Sequence, residues 1–319
     1  MKRFTILAMF VAMVLSVSAQ YKMHVWEHGV KTTFVVSTVD SVTFEDETSN
    51  MPDVPDPSTA KRTSLLIEYS GWRCVNCPRA AEETHRLQEL YGEQLIVVVM
   101  HPESNPNTRY GSNQTLNYTC PEADSIYMMM GGESTTPFPT GNVNMVKDET
   151  KGYFNDYDKW GTLVSQAYAN PQPMLLALEA QGNTDNQDIW MAIDITNLTS
   201  EATEATLQIW LTEDSVMGRQ YMPDGTQNKN YAHNHLLRAS ITPVWGDIVP
   251  INAHTTQQVV YEYTLPEKVV KENCNIVALV SINGEVVEVK SEMGFINENE
   301  DIVVIRITGG TIYVERAGK

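Results

Sequence analysis

"EYSGWRCVNCPRAAEETHRL", Glu68 to Leu87, sets two of the chain's four cysteines three residues apart, where one pattern gives way to another. Upstream, "LLIEYS" is a strand-like apolar run. Downstream, Pro78 opens a helix predicted to reach Tyr91, with Ala81, Thr84, Leu87 and Tyr91 on one stripe and Gly92 as its stop. "LIVVVMH", Leu95 to His101, follows as a continuous β-branched run, which reads as a strand buried on both faces. Strand, helix, strand in that order is a βαβ unit, and it decides for α/β packing.

The position of the cysteines carries chemistry. Unpaired amide N–H groups and the macrodipole at a helix start stabilise an anion, so the Cys74 thiol is expected below its ordinary pKa of about 8.5. Arg73 acts in the same direction. Cys74 would be the attacking thiolate, and Cys77, a turn deeper, would resolve the mixed disulfide. The rival reading is a local disulfide that clips the helix start. So short a loop removes little chain entropy, which motivates a purely stabilising bond weakly.

"EYSGWRCVNCP" resembles the active-site segment of the thioredoxin superfamily. The resemblance implies that Glu68, six residues before Cys74, is the buried carboxylate relaying a proton to the second thiol. It implies that Pro139 in "FPT", 62 residues beyond Cys77, is a cis-proline facing the cysteines, with Thr140 beside it. Two features depart from the superfamily pattern. Arg73 directly precedes Cys74, with Trp72 one place earlier, and Val75-Asn76 stand between the cysteines. Both bear on redox potential and the direction of electron flow.

Beyond this unit, Asn105 to Thr136 reads as a polar, partly helical insertion, Phe138 to Met145 as a strand and Asp158 to Tyr168 as a closing helix. After "NPQP" the texture becomes short strands of period two. Ile189, Met191, Ile193 and Ile195 share one face, as do Leu207, Ile209 and Leu211. Some six or seven such strands predict an immunoglobulin-like β-sandwich over 172–295, following an α/β thioredoxin-like domain over 63–171. A hairpin tail is expected at 296–319, a β-hairpin segment at 20–48, and a proline-rich acidic linker at 49–62.

"EYSGWRCVNCPRA", "FPTGNVNM" and "YAHNHLLRA" together resemble the 28-kDa outer-membrane-protein family of Bacteroidetes over nearly the whole mature chain. That resemblance implies an exported envelope or surface protein joining a thioredoxin-like to an immunoglobulin-like domain. It implies no biochemical activity.

Lys2-Arg3, an apolar run and "SVSA" form the layout of a signal peptide spanning 1–19. Gln20 stands where a lipoprotein would carry cysteine, so export without a lipid anchor is expected. No later apolar run is long enough to span a bilayer. Net charge is −18, and without Lys2 and Arg3 20 basic residues face 40 acidic ones. Such a surface repels phosphate backbones and makes nucleic acid a poor partner. The location expected is periplasmic, outer-membrane-associated or cell-surface.

Cys120 and Cys274 complete an even count in an oxidising compartment. They would pair and tie the domains, or Cys120 would serve the active site as a further thiol. His233 and His235 form H-x-H with no evident third ligand, so packing is favoured over a metal. Met128 to Met130 read as packing in a helical insertion. No cofactor is called for. Two functions remain open. One is a thiol-disulfide oxidoreductase on envelope or secreted protein clients, using Cys74, Cys77, Glu68, Pro139, Thr140, Trp72 and Arg73. The other is a non-enzymatic binding protein that contacts an envelope partner through the β-domain, where Trp210 and Trp245 are candidate exposed aromatics, with core packing the favoured reading of both.

Overall fold

The computed structural model describes residues 62–109, 118–149, 152–182 and 186–293, with the backbone of strands at 22–27, 30–35, 296–297, 302–308 and 311–316. The expected signal peptide and nearly all of the linker lie outside the described residues. The chain divides into two units, residues 1–51 and 52–319. In the first, β1 (Lys22–Glu27) and β2 (Val30–Val35) pair antiparallel, Glu27 opposite Val30.

The second unit opens with the βαβ unit. β3 (Ser64–Tyr69) and β4 (Leu95–Met100) pair in parallel, Ser64 opposite Leu95, across helix α1 (Cys77–Tyr91). α2 (Pro121–Met129) follows. β5 (Thr140–Val143) then adds antiparallel to the free edge of β3, and α3 (Trp160–Tyr168) packs behind. The buried face of α1 is Cys77, Pro78, Ala80, Thr84 and Leu87. It is rotated from the expected stripe: Ala80 meets the core with Leu66, Val97, Trp160 and Val164, while Ala81 is only half-buried. Helical winding from Cys77 carries positions 80, 84 and 87 inward, and that leaves Ala81 beside a cleft.

The remaining strands are β6 (Met174–Gly182), β7 (Asp188–Asn197), β8 (Thr203–Glu213), β9 (Val216–Tyr221), β10 (Gln227–His233), β11 (Leu236–Ser240), β12 (Asp247–Ile251), β13 (Thr256–Thr264), β14 (Cys274–Ile282), β15 (Glu285–Met293) and β16 (Ile296–Asn297). A hairpin of β17 (Ile302–Thr308) and β18 (Thr311–Arg316) follows. One sheet runs β13-β7-β6-β16. The other is mixed and eight-stranded, β15-β14-β8-β11-β4-β3-β5, with β12 also on β8. Ile189, Met191, Ile193 and Ile195 of one meet Leu207, Ile209 and Leu211 of the other, all buried, on the faces expected from the period-two pattern.

The large sheet crosses the boundary expected at 171. Leu236 of β11 pairs in parallel with Val99 of β4, and Val99 N donates to His235 O at 2.7 Å. β8 is therefore buried on both faces from Leu207 to Glu213. Its second face puts Trp210, fully buried, against a core containing Tyr69, Met100, Ile126 and Tyr127. Trp245 lies 60% exposed.

The proposed tie between Cys120 and Cys274 does not form; both are free and buried. They sit in different apolar cores. Cys120 packs with Trp210 and Leu237, while Cys274 shares the opposite face of β14 with Ile276 and Ala278. Cys120 Sγ donates to Leu237 O at 3.6 Å and Cys274 Sγ to Val270 O at 3.3 Å. Burial pushes both thiols up to about 12, which leaves them as inert hydrophobes.

Candidate functional site

Cys74 and Cys77 are joined as a disulfide with Cα atoms 5.4 Å apart. Their loop is held by backbone bonds: Cys74 N donates to Gly71 O at 3.0 Å, and Arg73 N to Asn107 O at 3.0 Å. Gly71 permits this packing, because a Cβ there would lie 2.6 Å from Asn107 O. The Phe138–Pro139 peptide is cis, as the resemblance implied. Tyr69 pairs with Thr140, so the register sets Pro139 one step past the end of β3, at the end where the cysteine loop begins. Thr140 itself is buried, its hydroxyl donating to Asn155 O at 3.2 Å.

Glu68 is 1% exposed on β3, and its Oε2 has no hydrogen-bond partner among the described residues. Burial pushes the carboxyl up to about 8, against a smaller opposing effect of a Ser70 hydrogen bond, so it is protonated at neutral pH. It lines a cleft of about 320 Å³ between α1 and β10. Cys77, Ala81, Thr84 and His85 form the helix side, Tyr231 to His235 the opposing wall, and Glu68, Ser70, Val99 and His101 the floor. Cys77 thus opens onto the cleft; Cys74 is not among its lining residues.

Over Cys74 lies the β9–β10 hairpin. Gln220, buried, donates from Nε2 to Cys74 O at 2.8 Å and Gly71 O at 3.3 Å. Tyr221 N donates to Trp72 O at 2.8 Å, and the two rings stack with centroids 6.0 Å apart. Cys74 is left 4% exposed and Cys77 2%. Arg73 is exposed and lies over the Trp72 ring, 5.7 Å from its centroid.

Sequence reasoning missed Gln220 and Tyr221 of that hairpin, and His101 and Tyr118, while it read His233 as packing. His101 and His233 stack edge to face with centroids 5.5 Å apart, and Tyr118 packs on His233 at 4.4 Å. Burial lowers both imidazoles, His233 to about 4, so both are neutral. His233 Nε2 donates to Arg219 O at 3.2 Å. His235, at φ 56°, meets Asp214 through Nδ1 at 3.1 Å, so the two histidines of the H-x-H serve different neighbours. Among the described residues no group of three or more His, Cys, Asp or Glu side chains is placed to hold a metal ion. Of the three methionines, Met128 and Met129 are exposed, while buried Met130 accepts the Tyr69 hydroxyl at 2.9 Å. No local signal links Gln220 or His101 to the cysteines; only tertiary packing brings them there.

A family model described as outer membrane protein Omp28 matches residues 133–299, just over half of the chain. The chain belongs to the Omp28 family. The matched span contains Pro139 and the β9–β10 hairpin but begins beyond Cys77. Membership bears out the exported, outer-membrane-associated location expected from the sequence, and no helix among the described residues is long and apolar enough to cross a membrane. Among solved structures, the chain is similar to HBP35 of Porphyromonas gingivalis, at 15% identity and TM-score 0.59, covering 82% of this chain and 86% of that one. A domain of the outer membrane lipoprotein Omp28 from Porphyromonas gingivalis is 22% identical, with TM-score 0.29, covering 40% of this chain and 91% of that one. The first likeness concerns the fold alone. No curated protein matches the chain.

Proposed function

We propose that this Omp28-family chain is a thiol-disulfide exchange protein of the cell envelope, in which a thioredoxin-like half carries the couple Cys74/Cys77 and an immunoglobulin-like half walls it in. The observation that carries the reading is Glu68: a buried carboxyl, protonated up to about pH 8, lining the same cleft as Cys77. Thiol exchange needs a proton delivered to, and withdrawn from, the buried sulfur each cycle, and a carboxyl titrating near neutrality does this. The parallel β3–α1–β4 unit, antiparallel β5 and cis-Pro139 support the thioredoxin-like reading. The two sheets packed over one apolar core support the immunoglobulin-like one.

A second reading has its own observation. The hairpin leaves Cys74 4% exposed, as it would in a binding protein whose disulfide is structural. Equilibration of the folded protein in thiol-disulfide buffers separates the two. The exchange reading expects reversible reduction of Cys74–Cys77 with the near-ultraviolet spectrum retained, giving a definite potential. Reduction that occurs only along with unfolding would leave the scaffold reading.

A further inference from the structure

Both cysteines are buried, Cys74 at 4% and Cys77 at 2% exposed, but their surroundings differ. The β9–β10 hairpin is fastened to the Cys74 loop: the Gln220 amide bonds the Cys74 carbonyl, and Tyr221 stacks on Trp72 and bonds its carbonyl, which leaves a polypeptide client little room along that loop. Cys77, unlike Cys74, is among the residues lining a cleft of about 320 Å³, in the size range of small-molecule sites. The cleft floor carries two polar groups 1% exposed and with unpartnered atoms, Glu68 Oε2 and His101 Nδ1. Buried polar atoms of this kind are normally satisfied, and both line the space beside the sulfur.

We infer that the client of this couple is a low-molecular-weight thiol or its disulfide, entering the α1–β10 cleft and reacting at Cys77 rather than Cys74. The inference rests on the exchange reading above. In the reducing direction a small thiolate RS⁻ attacks Cys77 Sγ. The S–S bond breaks and its electron pair leaves on Cys74 Sγ, in the loop just ahead of the α1 N-terminus. A second RS⁻ attacks the outer sulfur of the mixed disulfide. RSSR departs, and Cys77 leaves as thiolate and takes the proton of Glu68. Solvent protons, two released by the small thiols, restore Glu68 and meet Cys74. Two RSH are oxidised to RSSR, and one protein disulfide is reduced to two thiols. The reverse sequence oxidises the protein. The cleft floor presents neutral donors and acceptors, and the chain's net charge of −18 disfavours anionic clients.

The test uses β-mercaptoethanol and its disulfide on the full folded chain. In the Cys74→Ala variant, the disulfide probe is expected to label Cys77, read by peptide mass mapping. Cys77→Ala should label at Cys74 at least tenfold more slowly. Filling the cleft from either wall, by Ala81→Trp or by Ala232→Trp on its exposed strand, should slow reduction of the native disulfide by β-mercaptoethanol tenfold or more. Two walls keep the test valid if one variant misfolds. Faster labelling of Cys74, or cleft-filled variants that react at the parental rate, would overturn the inference. So would a reduced thioredoxin that outpaces β-mercaptoethanol by attack at Cys74, although the exchange reading would then stand. A disulfide that no probe reduces without unfolding would end both.

Discussion

Glu68 shows how one side chain can be both a liability and a tool. β3 is buried at every position, so a carboxyl placed on it loses its hydration and holds its proton up to about pH 8. The sign of the consequence is definite. Below about 4.3, the ordinary glutamate value, both folded and unfolded chains are protonated; above it only the unfolded chain ionises, so stability falls as pH rises towards about 8. His101 and His233 act oppositely. Their lowered values make stability fall as pH drops below about 6.5, the ordinary histidine value. Between about 6.5 and 8 the carboxyl acts without the histidines. Glu68→Gln is expected to remove a slope of up to about 1.4 kcal/mol per pH unit there, read from urea unfolding at several pH values. Equal slopes in variant and parent would show that Glu68 ionises freely in the fold.

At the scale of elements, the β9–β10 hairpin decides who reaches the cysteines. It is fastened at Gly218, where a Cβ would fall 1.2 Å from the Tyr118 hydroxyl oxygen, the atom that accepts Arg219 N at 2.9 Å. Only glycine lets strand and tyrosine approach this closely. Gly218→Ala must push the hairpin outward, at a cost of about 1–3 kcal/mol. Faster amide exchange is expected across 216–233 and in the 71–74 loop, with the helices unchanged. Protection unchanged at 71–74 would mean that the loop stands without its cover.

Across the whole molecule, the shared sheet makes the two halves one cooperative object. Trp210 extends from the β-domain's sheet into the α/β core, and the buried pair Arg238–Glu213, 3.0 Å apart, ties β11 to β8 beside it. Trp210→Ala should cost about 3–5 kcal/mol and lower the melting of both halves together, in a single calorimetric transition. Two separated transitions, with only one shifted, would show that the halves unfold independently.

Much of this was written along the chain. The βαβ order, the helix start beside Pro78 and the inward faces of β7 and β8 follow from local pattern, because a strand's period of two and a helix's capping signals are short-range properties. The candidacy of Glu68 and the cis peptide at Pro139 were legible only through the resemblance of their segments to a known family. What stands over the disulfide was not. Gln220 lies 146 residues from Cys74, and Cys120 and Cys274, whose pairing was one of two open readings, fell on opposite faces of one sheet. Only packing sets such relations, since which sheet edges join, and which face each strand then buries, depends on every element at once.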